Sequence, residues 1–108
     1  MELLTGQYTI SNYKQVLVPA VPDRIILVTR LCFSLGGNGL VTLLSDPNGG
    51  SEATVTPMWY LLANTTIDIR FGKRYGPATG RGKALGWTTT VSGSPANHSI
   101  MLWYEVVD

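Results

Sequence analysis

From Lys14 to the carboxyl end, short runs rich in β-branched and aromatic residues are cut by Gly, Pro, Asn or Asp every eight to twelve positions. That rhythm predicts an all-β chain, because each run is too short for a conventional helix and each break carries turn chemistry. Residues 14–108 are expected to form one antiparallel β-sandwich or barrel of seven or eight strands, the sandwich favoured. Residues 1–13 mix Leu3 and Leu4 with Gly6, Ser11 and Asn12. They read as an amino-terminal arm, with a short strand around Tyr8 to Ile10.

Individual runs can be placed further. Lys14 to Val18 is the first firm strand, and Pro19 and Pro22 close it because proline cannot donate to a sheet ladder. Arg24 to Leu35 has apolar residues on both alternating faces, Ile25, Leu27 and Leu31 on one and Ile26 and Val28 on the other, which predicts a central strand. Gly36-Gly37-Asn38-Gly39 then predicts a tight hairpin with Leu40 to Ser45 as the returning partner. Pro57 assigns Thr54 to Ala63 to an edge or a bulge. Thr65 to Phe71 alternates like a half-exposed strand, and Gly72 to Gly82 reads as a long irregular loop. Lys83 to Ser92 and Ser99 to Val107 are the last strands. The final one is apolar on both faces, so it should lie centrally in its sheet, its outer side covered by a neighbour.

Composition changes this picture in one respect. At 108 residues the chain is one domain, able to bury roughly 65% of its unfolded surface without metals or disulfides. Charged residues are only 14% of the total while 44% are hydrophobic, against roughly 25% charged in an average soluble domain. So few charges cannot cover the surface, which favours burying part of it against other subunits. The net charge of +1 gives no overall drive toward nucleic acid or anionic membrane. No run approaches the roughly 18 apolar residues of a membrane span, and the amino terminus lacks the pattern of a signal peptide. The single Cys32 is expected to be a small core hydrophobe in a protein folding in a reducing compartment.

No catalytic, cofactor or metal constellation emerges. Gly76 to Lys83 has the glycines and lysine of a phosphate loop, but five residues separate Gly76 from Gly82 where four are needed, and Ala84 stands where Ser or Thr should. One histidine and one cysteine cannot build a closed zinc site. His98 falls in an expected turn and reads as a solvated side chain. Trp59, Tyr60, Trp87, Trp103 and Tyr104 fall in expected strands, where most should be core; an exposed row of aromatics would instead suit sugar stacking. The charge distribution alone stands out. Arg70, Lys73, Arg74, Arg81 and Lys83 hold five of the eight basic charges within fourteen residues and no acid lies among them. Such a loop makes a positive lobe that is either simply solvated or set to meet an acidic protein surface, with nucleic acid disfavoured by the neutral whole-chain charge.

Three stretches, Val16 to Leu31, Gly80 to Thr90 and Ile100 to Val106, resemble the small jelly-roll proteins that decorate or cement the capsids of tailed bacteriophages. The resemblance covers about ninety residues and lies in strands and turns, without a diagnostic motif. It implies a jelly-roll-like sandwich, a non-enzymatic virion protein on the capsid exterior made in the host cytoplasm, and the major capsid protein as partner. It also implies a homo-oligomer, a trimer favoured over a dimer. The basic residues Arg70, Lys73, Arg74, Arg81 and Lys83 would then meet the capsid, and the arm bearing Leu3, Leu4 and Tyr8 would strap over neighbouring subunits. Related jelly rolls serve as head fibres or receptor-binding tips, and a lectin-like carbohydrate-binding module is a further alternative.

Overall fold

A computed structural model describes residues 2–9, 12–72, 74–91 and 97–108, without the side chains of 7–9, 12 and 13. Among these the chain forms nine strands and no helix: β1 (Glu2–Thr9), β2 (Asn12–Val18), β3 (Ile25–Ser34), β4 (Gly39–Ser45), β5 (Ala53–Thr54), β6 (Trp59–Leu61), β7 (Thr66–Arg70), β8 (Leu85–Val91) and β9 (Asn97–Val107). They build two antiparallel sheets. Sheet A runs β1-β9-β3-β7; sheet B runs β2-β8-β4-β5, with β6 also pairing β4. Apart from β4, β5 and β6, successive strands alternate between the sheets. This is the jelly-roll order, so the all-β sandwich expected from the punctuation is the fold observed.

Between the sheets lies one core. Trp87, Phe33, Leu31, Leu43, Leu85, Ile100 and Leu102, drawn from the inward-facing alternate positions of β3, β4, β8 and β9, are fully buried, as is Leu35 just past the end of β3. Phe33 and Trp59 meet with ring centroids 5.6 Å apart, joining sheet A to the short β6. Both strands with two apolar faces are central, as expected: β3 pairs β9 and β7, and β9 pairs β1 and β3. Pro57 falls between β5 and β6, splitting the expected Thr54 to Ala63 strand into two short edge pieces.

Several expectations are corrected. Gly36 to Gly39 does not make a β3–β4 hairpin, because β3 lies in sheet A and β4 in sheet B. The glycines serve close approach instead. A Cβ on Gly36 would collide with the Asn97 backbone, where the chain leaves one sheet for the other. Residues 2–9 are not a free arm but the edge strand β1, paired along its length with β9; Leu4 packs against the core, and Ile10 and the Tyr8 side chain lie outside what is described. His98 is not solvated. It is 1% exposed, and its Nδ1 accepts the Gly36 N–H at 3.2 Å. Cys32 is half-buried on the outer side of sheet A, because alternation about Leu31 and Phe33 turns it away from the core.

The loop after β7 is also more ordered than its composition suggests. β7 stops at Arg70, and residues 77–79 take over its place beside β3: Val28 N–H donates to Pro77 O at 2.9 Å, Thr79 N–H to Ile26 O at 3.0 Å, and Ile26 N–H to Thr79 Oγ1 at 3.0 Å. This requires glycine at 76, where a Cβ would enter the Val28 carbonyl.

Candidate functional site

The fold separates the expected basic cluster. Arg70 sits opposite Arg30 in the β3–β7 ladder, whereas Gly82 N–H bonds to Arg24 O, six residues and so roughly 20 Å along β3. Arg70 and Arg74 are exposed near one point. Arg81 lies at the other, donating to Asp23 O at 2.9 Å, and Lys83 approaches Asp46 at 4.0 Å. Lys73 lies outside the described residues. One of the four described residues is thus ion-paired and another is tied to a main-chain carbonyl, and with the set split between two ends of β3 no single positive lobe forms from it.

Charge instead divides the two outer faces of the sandwich. Sheet A carries the ionised groups. Arg30 donates to both Asp68 carboxylate oxygens, at 3.0 and 2.8 Å, and its guanidinium lies 4.4 Å from the Trp103 ring centroid. Asp68 is held below the ordinary carboxylate range, first by the hydrogen bond from Arg30 and then by the charges of Arg30 and Arg70. Small side chains leave an open hollow of about 630 Å³ on this side, lined by Thr5, Cys32, Ser34, Thr66, Ser99 and Met101 among others.

Sheet B is the opposite. Strands β4, β5, β6 and β8 contain no Asp, Glu, Lys, Arg or His. In β2 the lysine is Lys14, bonded to Glu52 at 2.9 Å. That pair anchors the loop 46–52, whose Pro47 lies against Gly86 and so covers one end of the face. The remaining outer surface is apolar and threonine-rich. The pairs Leu40↔Tyr60 and Leu40↔Thr90 make one row across β6, β4 and β8, and Met58, Leu40, Thr42, Thr88 and Thr90 line a shallow depression beside it. Met58, Tyr60 and Leu62 are 59%, 65% and 63% exposed, and Val16 is 43% exposed.

A row of large apolar side chains held out from an edge strand loses the free energy of burial at about 25 cal/mol per Å² until something covers it. Depletion of charge with enrichment of aromatic residues and Met marks the core of a protein interface. This face is therefore the candidate site. Sequence reasoning placed Tyr60 with the core aromatics; the neighbouring Trp59 and Leu61 do turn inward, and Tyr60 follows the alternation outward. The signal lay in the uncharged stretches 53–67 and 84–97, whose convergence on one sheet needs the topology.

No family model and no curated protein matches the chain. Among solved structures, it is similar to one described as "Bacillus endospore appendages form a novel family of disulfide-linked pili", at 8% identity with a TM-score of 0.56 over 99% of this chain and 87% of that one. The structure of PirA aligns at 10% identity and TM-score 0.49, covering 94% of each chain. Infectious bursal disease virus Gx strain aligns at 15% identity and TM-score 0.41, covering 94% of this chain and 32% of that one. The first of these shows a shared fold, and the weaker two add no argument.

Proposed function

We propose that this jelly roll is a non-enzymatic structural protein of a virion, a decoration or cement protein seated on the outside of the assembled capsid. The outer face of sheet B, without a charged side chain on β4, β6 or β8 and ionised at β2 only by the Lys14–Glu52 pair, is the observation that carries the reading. It would lie against the major capsid protein and bridge adjacent subunits, with Tyr60, Met58 and Leu62 as apolar anchors. The work is mechanical. A ligand that binds the assembled shell and not its separated parts stabilises the shell by mass action. Arg70, on sheet A, then faces away from the seat, and the basic residues act at most on its rim.

The hydroxyl-lined hollow on sheet A favours a second reading, a receptor-binding or lectin-like module taking a neutral sugar, since its volume falls within the range of ligand sites. Co-sedimentation with empty shells of the major capsid protein encoded in the same genome separates the two. Saturable binding to shells, with no retention on glycan columns, is expected. Retention on glycans by a chain that ignores shells would replace the first reading with the second.

A further inference from the structure

β1 is the one long sheet edge in the described structure that nothing guards. An edge strand offers a row of unpaired N–H and C=O groups, and proteins ordinarily blunt such rows with bulges, prolines, charges or short strands. The other edges show these devices. β2 has a bulge between Val16 and Val18 and carries Lys14; β7 has five residues, with Asp68 and Arg70 exposed; β5 and β6 have two and three. β1 runs eight residues in unbroken register with β9, and it contains no Pro, Lys or Arg.

We propose that β1 pairs antiparallel with β1 of a second copy about a two-fold axis perpendicular to sheet A. Three features favour a second copy as occupant. A strand of the same length meets its own copy with all but one of its eight residues in register. Glu2, the one ionised side chain of β1, opposes a residue near the other end and not its own copy. The exposed Leu3 and the Met101 and Trp103 row beside it would also continue across the axis as one outer face.

The pleat restricts the register. For both copies to keep the same side outward, a residue must face one of equal parity. The axis then passes through Thr5, overlapping residues 2–8 of each chain, or through Gly6, overlapping 3–9. Pairing makes the two four-stranded sheets continuous, and it closes at two copies, not at the three that the resemblance favours. Because the axis is perpendicular to sheet A, both sheet B faces point the same way. The dimer would present two apolar seats side by side. This deepens the proposed function and rests on it only for what the seats contact.

The test uses the full chain with Cys32→Ser. Light scattering after size exclusion is expected to report twice the chain mass. Under mild oxidation either Thr5→Cys or Gly6→Cys should link two chains, because the on-axis residue lies about 4.5–5.5 Å from its copy. Leu3→Cys should not link, although Leu3 is well exposed, since its copies stand about 14 Å apart or more. The locked dimer should co-sediment with shells roughly 10²-fold more tightly than a monomeric variant. A monomeric mass, or linking at Leu3→Cys as fast as at the other two, overturns the pairing. A monomer that still binds shells removes the dimer and leaves the structural role; a linked dimer that ignores shells does the reverse.

Discussion

Gly76→Ala tests the strip of loop that replaces β7 beside β3. A methyl at this position enters the Val28 carbonyl oxygen and also crowds the Phe71 Cβ, 3.1 Å away. Backbone on both sides is paired, so the loop must lift. Lifting breaks Val28 N–H to Pro77 O, Thr79 N–H to Ile26 O and Ile26 N–H to Thr79 Oγ1. At about 0.5–1.5 kcal/mol net for each bond, the loss is about 3 kcal/mol. That is a large share of the stability of a domain this size. Urea denaturation followed by tryptophan fluorescence would measure it, with Gly50→Ala as the control. Nothing lies within 4 Å of a Cβ on Gly50, so that change should be neutral or add up to about 1 kcal/mol. If Gly76→Ala costs less than about 1 kcal/mol, residues 77–79 do not form the edge of sheet A described above.

Three further outcomes are expected. Thr89 is buried, and its Oγ1 has no hydrogen-bond partner among the described residues, so Thr89→Val should raise stability by about 1 kcal/mol in the same assay; a comparable loss would mean that the hydroxyl is bonded. The Asp68 carboxyl titrates below its ordinary range because Arg30 donates to it. A depressed carboxylate contributes stability that is complete above its unfolded value near pH 4 and is lost as pH falls through the folded value. Asp68→Asn should therefore flatten part of the acid limb below about pH 4 and leave the curve above about pH 5 parallel to the parent. Arg70, Arg74 and Arg81 changed together to Ala should keep stability within about 1 kcal/mol and shell binding within about threefold; a larger, salt-dependent loss would move the interface to the basic residues.

The residue pattern carried much of the fold and little of the site. Strand positions follow from alternation and turn chemistry, and the two-faced apolar runs of β3 and β9 correctly marked the sheet centre. Which strands pair was not legible. Gly36 to Gly39 has the composition of a hairpin, but the same glycines equally allow the close backbone approach that a change of sheet demands, and local sequence does not distinguish them. Glu2 to Thr9 looked unlike a strand because Gly6 and Gln7 interrupt it, and its pairing with β9 is a contact across the whole chain. His98 read as solvated because its neighbours are turn residues, while its burial depends on Gly36, sixty-two positions away. The shortage of charge was plain in the composition. Its location was not, because it arises when uncharged stretches from four separate strands are brought into one sheet.

The central claim is that the outer face of sheet B is a dry contact surface. Tyr60→Glu and Tyr60→Lys, compared side by side, test it most directly. At 65% exposure either change should leave the fold within about 0.5 kcal/mol. In the complex each buries an unpaired charge, so both signs should weaken co-sedimentation with shells by about 10²-fold. Shell binding unchanged in both variants would contradict the claim, and so would a loss confined to one sign, since an apolar seat rejects either charge.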